Sequence, residues 1–116
     1  MNIQTALVDT ANSIMNEIGS GHTKEVYQKA FYVSLKHKDI RCEKKDVVIL
    51  FENEIVGILS SNVVSDSIVL LIDVGDTLNV NDYITTCNTY MRHSRLSYGM
   101  VCIFPSSRNR LILQHI

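Results

Sequence analysis

No apolar run in this 116-residue sequence is long enough to cross a bilayer. Runs such as Val47–Phe51 and Ile68–Ile72 stop at five residues, against the roughly 20 a spanning helix needs. The opening MNIQTALVD lacks both a basic n-region and an apolar h-region, so it does not read as a secretory signal. Cysteine is scarce and odd in number: Cys42, Cys87 and Cys102, with no CxxC pair. That argues against a disulfide framework and for a reducing, intracellular setting. The four histidines, His22, His37, His93 and His115, are scattered, and no two have the i,i+4 spacing of a helical zinc site. Composition therefore predicts neither a metal nor another cofactor. Repeats, linkers and low-complexity tracts are also missing. What remains is 46% hydrophobic and 20% charged residues, which excludes an acidic disordered chain and suffices for one core in one domain over residues 1–116.

The most informative scarcity is of cations in the middle. Between Asp46 and Met91 there is no Lys or Arg, while seven acids fall there: Asp46, Glu52, Glu54, Asp66, Asp73, Asp76 and Asp82. The flanks are basic. His22–Lys45 carries Lys24, Lys29, Lys36, Lys38, Arg41, Lys44 and Lys45 against Glu25, Asp39 and Glu43. After Met91 come Arg92, Arg95, Arg108 and Arg110 with no acid. A net charge of −1 thus conceals a basic–acidic–basic order that folding can turn into a positive face. The alternatives are an ordinary solvated surface and a site for phosphate or an acidic partner.

Periodicity supplies the elements. Ile3, Leu7, Ala11, Ile14 and Ile18 recur at three- and four-residue steps and predict a helix over 3–18, stopped by Gly19-Ser20-Gly21. Thr23 is the expected N-cap of a second helix over 24–38. Three β-rich runs follow, Arg41–Phe51, Ile55–Val64 and Ser67–Val74, joined by tight polar turns as in an antiparallel meander. The last contains IVLLI and should be a central strand covered on both faces. Helical spacing returns over Asn79–His93, with Tyr83, Cys87, Tyr90 and Met91 on one side. Leu96–Phe104 and Arg110–Ile116 are the last strands, separated by a turn at Pro105-Ser106-Ser107. The order ααβββαββ predicts an α/β architecture of the α+β kind: a mixed sheet of about five strands, two N-terminal helices and one crossover helix.

The residues narrow this further. Ile14-Met15-Asn16-Glu17-Ile18-Gly19-Ser20-Gly21, then Tyr27, then Ala30, resembles the LGxGLxExxYxxAL block of the GxxExxY family of PD-(D/E)XK nucleases. The likeness continues to Gly57 and resumes at Tyr90-Met91-Arg92, Leu96, Gly99 and Phe104, spanning about residues 6–104.

What the resemblance implies is mostly loss. The helical glutamate of GxxExxY falls on Lys24, and the metal-binding aspartate on Ser61. The glutamate and lysine of the E-x-K element fall on Leu71 and Asp73, and the helical glutamine on Thr86, with Tyr90 matching its tyrosine. Such nucleases hold Mg²⁺ with hard carboxylate oxygens and use the metal and the lysine to stabilise charge at the phosphate. Serine is a poor magnesium ligand and leucine is none. Leu71 and Asp73 share a strand face, so that face offers one carboxylate.

The reading with most support is a catalytically inactive nuclease fold kept as a binding or structural module. It is expected to be a homodimer that grips double-stranded DNA non-specifically through phosphate contacts from Lys24, Lys36, Lys38, Lys44, Lys45, Arg92 and Arg95. One alternative is a protein–protein module without nucleic acid, with Leu59, Val63 and Leu71 as an apolar patch. The other is a residual metal-dependent nuclease built on Asp73. The resemblance further implies a prokaryotic or viral source; a stand-alone degenerate form fits a virus particle or infected host cell.

Overall fold

The computed structural model describes residues 2–76, 79–107 and 110–116, so Arg108 lies outside the described residues. The elements run α1 (Ile3–Ile18), α2 (Lys24–His37), β1 (Cys42–Phe51), β2 (Glu54–Val64), β3 (Ile68–Val74), α3 (Asn81–Ser94), β4 (Tyr98–Phe104) and β5 (Ile112–His115). The five strands form one sheet in the order β1-β2-β3-β4-β5. β3 and β4 are parallel, joined by the α3 crossover, and the other neighbours are antiparallel. The expected mixed α+β sheet with two leading helices is therefore present, with β3 at its centre.

Local chemistry sets the helix ends. Asn2 caps α1, its side chain accepting from the N–H groups of Gln4 and Thr5. Gly19, at φ 74°, ends it, and Gly21 at φ 89° carries the turn into α2. Thr23 caps α2 as expected, accepting from Val26 N–H. α3 starts later than its periodicity suggests, because Asn79 accepts from Asn81 N–H and does the capping from outside the helix. It ends at Arg95, which takes the left-handed conformation at φ 62°. Leu96 consequently closes the helix, its N–H donating to Met91 O, and does not begin β4.

Two cores lie on the two faces of the sheet. On one, α1 and α2 bury Leu7, Ala11, Tyr27, Phe31 and Leu35 against Val64, Leu70, Ile72, Met100, Cys102 and Phe104. On the other, α3 buries Cys87, Tyr90 and Met91 against Val63, Val69, Val101 and Ile103. β3 and β4 alternate between these cores, which explains why both read as continuous apolar runs. Gly99 is required by the second core: a Cβ there would stand 2.6 Å from Met91 Sδ and 3.1 Å from Cys87 Sγ.

Both tyrosines of the sequence motifs are struts. The Tyr27 ring stacks on Phe104 at 3.9 Å, and its hydroxyl donates to Gly19 O at 2.7 Å, tying α2 to the end of α1. The Tyr90 hydroxyl donates to Lys45 O at 2.8 Å, tying α3 to β1. The molecule measures 47 × 32 × 21 Å, with a radius of gyration of 14.2 Å. A compact chain of this length has about 13 Å. The long β1–β2 hairpin accounts for the excess, since β2 pairs with β3 only over Asn62–Val64.

Candidate functional site

Of the positions that the resemblance assigns, Ser61, Leu71 and Asp73 lie at a notch where β2 and β3 part. Their ladder stops at Asn62 and Leu70, so Ser61 and the C-terminal half of β3 have no strand between them. Ser61 is buried and its hydroxyl donates to Leu70 O at 3.4 Å. Leu71 packs into the α3 core beside Val63 and Leu59, all beneath α3. The apolar patch expected from these three residues is thus core, covered by a helix that sequence spacing alone could not position. Asp73 follows on the same face, and its Oδ1 accepts from Val74 N–H at 2.8 Å. Tyr83 of α3 completes the notch: burial first, then the Asp73 carboxylate, raises its phenol above the ordinary value. Tyr83 is the notch residue that motif reasoning missed, although its place on the inward stripe of α3 was legible.

Thr86 and Lys24 do not join them. Thr86 is exposed and its hydroxyl donates to Asp82 O within α3. Lys24 is exposed at the start of α2, in the other helical layer. Among the described residues, no three His, Cys, Asp or Glu side chains gather where one metal ion could be held. The notch itself offers a single carboxylate, a serine committed to a carbonyl and a leucine. That donor set does not fit Mg²⁺, which is held by several hard oxygens in near-octahedral geometry.

The cations sort by position along the sheet. β3 and β4 are parallel, so Ile68 and Tyr98 mark one end. α2 finishes at that end, where Ser65 N–H donates to Arg41 O. α3 finishes there too, just before β4. Lys36, Lys38, Arg92 and Arg95, with His37 and His93, therefore share this end of the molecule. Lys24 does not: Gly21 N–H donates to Pro105 O, past the far end of β4.

Lys44 and Lys45 sit lower on β1 and point to opposite faces, since Cys42 packs with the α1/α2 core and Val47 with the α3 core. Lys45 is already paired, its Nζ 2.8 Å from Asp66 Oδ1 and 3.6 Å from Glu43. Arg41 pairs with the same two acids. Lys38 donates to Thr10 Oγ1 at 2.6 Å, a neutral partner that leaves its charge available. Lys36 and Arg41 line a groove of about 450 Å³ with Tyr32, Asp39, Ile40 and Cys42. Burial, and secondarily Glu43, pushes the Cys42 thiol up to about 12, so it stays protonated.

Two carboxylates fasten loops. Asp66, in the β2–β3 turn, is held below its ordinary 3.8 chiefly by Lys45, then by Arg41. Asp76 accepts from the N–H and hydroxyl groups of Ser106 and Ser107, which lower it likewise. A carboxylate depressed by folding adds stability above its unfolded value, and that stability is lost as pH falls through the folded one. Thermal melts should therefore be flat between about pH 5 and 8 and fall below about pH 4. Asp76→Asn should lower the plateau and shrink the acid-induced fall. An identical fall in the variant would show that Asp76 does not contribute to it.

With this geometry in place, comparison with known proteins gives one positive result. The family model for the PD-(D/E)XK nuclease superfamily matches residues 1–114. The chain belongs to that superfamily. Searches of curated proteins and of solved structures return no match.

Proposed function

We propose that this chain is a nuclease-fold protein that no longer cuts. It acts as a binding and structural module, a homodimer with sequence-independent affinity for double-stranded DNA. The observation that carries the reading is the notch: Asp73 is its single carboxylate, with Ser61 and Leu71 where the GxxExxY pattern has metal-binding acids. The positions that the GxxExxY resemblance assigns support it. Tyr27, Tyr90, Gly99 and Phe104 all hold the architecture, whereas the positions that would carry charge chemistry are substituted. Losing acids removes repulsion toward phosphate, and Lys36, Lys38, Arg92 and Arg95 supply cations from around the start of the β3–β4 pair. Such contacts bind any sequence and weaken steeply with salt.

The test is fluorescence anisotropy of labelled duplex DNA at low and near-physiological salt with Mg²⁺ or Mn²⁺ present, each end-point then run on a gel. Salt-sensitive binding with intact DNA is expected. Cleavage that Asp73→Asn abolishes would overturn the proposal in favour of a metal-dependent nuclease. Failure to bind even at low salt would discard the nucleic-acid part and leave a protein-interaction module.

A further inference from the structure

We infer that the distal half of the β1–β2 hairpin is an interface between two copies of this chain, packed face to face and antiparallel. This rests on the dimer in the reading above and assigns it a surface. The α1/α2 layer covers β3, β4, the start of β1 and the end of β2, where Val64 and Asn62 are buried, but leaves the distal parts of β1 and β2 bare on that face. Val48 pairs with Ile58, and Leu50 with Ile55 past a bulge at Ile49/Leu50. By strand alternation all four side chains lie on that open face. They are 44%, 63%, 58% and 62% exposed, respectively. Together they leave on the order of 400 Å² of apolar surface in water, the size of patch that on a soluble monomer is often functional.

The occupant follows from charge and shape. Lys44 stands on this same face at the base of the hairpin, and Glu52 and Glu54 stand at its tip. None of the three belongs to an ion pair among the described residues. A second hairpin laid antiparallel about a two-fold axis brings its acidic tip over this base, and the reverse contact follows by symmetry. Both ends are then paired, whereas a parallel arrangement would oppose tip to tip. Asp46, between Lys44 and the apolar rows, accepts from the neutral Ser60 hydroxyl and keeps its charge, two residues from Lys44 on the same face. Two pleated faces packed this way sit about 10 Å apart and interdigitate. A standard specific interface buries roughly 800 Å² per partner, so the polar rim has to contribute about as much as the apolar rows.

Light scattering after size exclusion, over a wide concentration range, tests this. The wild type should weigh twice 13.1 kDa. Ile58→Asp should weaken the dimer roughly tenfold or more while leaving the circular dichroism unchanged, because the site is exposed. Lys44→Glu and Glu54→Lys should each weaken it several-fold, and an equimolar mixture should restore it as a heterodimer, in which both contacts pair opposite charges. An Ile58→Asp protein as dimeric as wild type would overturn this interface and leave the dimer standing elsewhere. A mixture no tighter than either variant alone would overturn the antiparallel arrangement. A monomeric wild type at the highest concentration would overturn both the interface and the dimer.

Discussion

Phe104→Ala should destabilise the fold by about 3–5 kcal/mol, the range for emptying a fully buried aromatic site. Phe104 is wholly buried at the end of β4, stacked on Tyr27 at 3.9 Å and edge-on to Phe31 at 6.2 Å. Its ring is the surface on which α2 rests. The surrounding groups cannot collapse into the vacated space, because the Tyr27 hydroxyl is pinned to Gly19 O and receives His22 N–H at 3.3 Å. A domain this size is stable by roughly 5–15 kcal/mol, so the change removes a large share. Melting should drop by on the order of 10–20 °C. Tyr27→Phe keeps the stack and deletes the hydroxyl, so it should cost only about 1–1.5 kcal/mol. Urea titration of both variants measures the two effects. A Phe104→Ala loss under about 1 kcal/mol would mean that α2 is held chiefly by other contacts.

The elements were legible because each has a local cause. Gly19 and Gly21 bound a helix pair, Thr23 caps, and IVLLI alternates between two cores. The misplaced ends have local causes too, but quieter ones. An asparagine capping from one residue further out, and an arginine in a conformation it rarely adopts, shift α3 and β4 by a residue or two. Long-range facts were out of reach. Arg41 and Asp66 are 25 residues apart, and their pairing depends on where the β2–β3 turn falls. Val47–Phe51 reads as a core run, yet Val48, Leu50 and Phe51 stand in water because β3 parts from β2 and no helix extends over them. Whether an apolar strand is covered is decided by its neighbours' lengths, which its own residues do not encode. The candidate site was half legible. Strand alternation puts Leu71 and Asp73 on one face, but the α3 cover over Leu71 and the separation of Lys24 from the basic end are tertiary facts.

That separation makes the second large prediction specific. If duplex DNA lies across the end where β3 and β4 begin, it meets the last turns of α2 and α3, one from each side of the sheet. The double variant Lys36→Glu/Arg92→Glu should then bind roughly 10- to 100-fold more weakly at low salt, equally for any DNA sequence. Its log–log salt slope should fall by about two phosphate contacts. Lys36 and Arg92 are exposed and outside the ion pairs among the described residues, so reversing them leaves the fold intact. Lys24→Glu, at the opposite end, should change binding less than about twofold. Lys45→Glu is the less informative variant, since it also breaks the contacts with Asp66 and Glu43. Anisotropy titrations at several salt concentrations read both affinity and slope. A Lys24→Glu effect as large as that of the double variant would move the footprint to the ends of β3 and β4 where Asp73 lies. The notch would then be the DNA-facing surface, and the helix ends a solvated face.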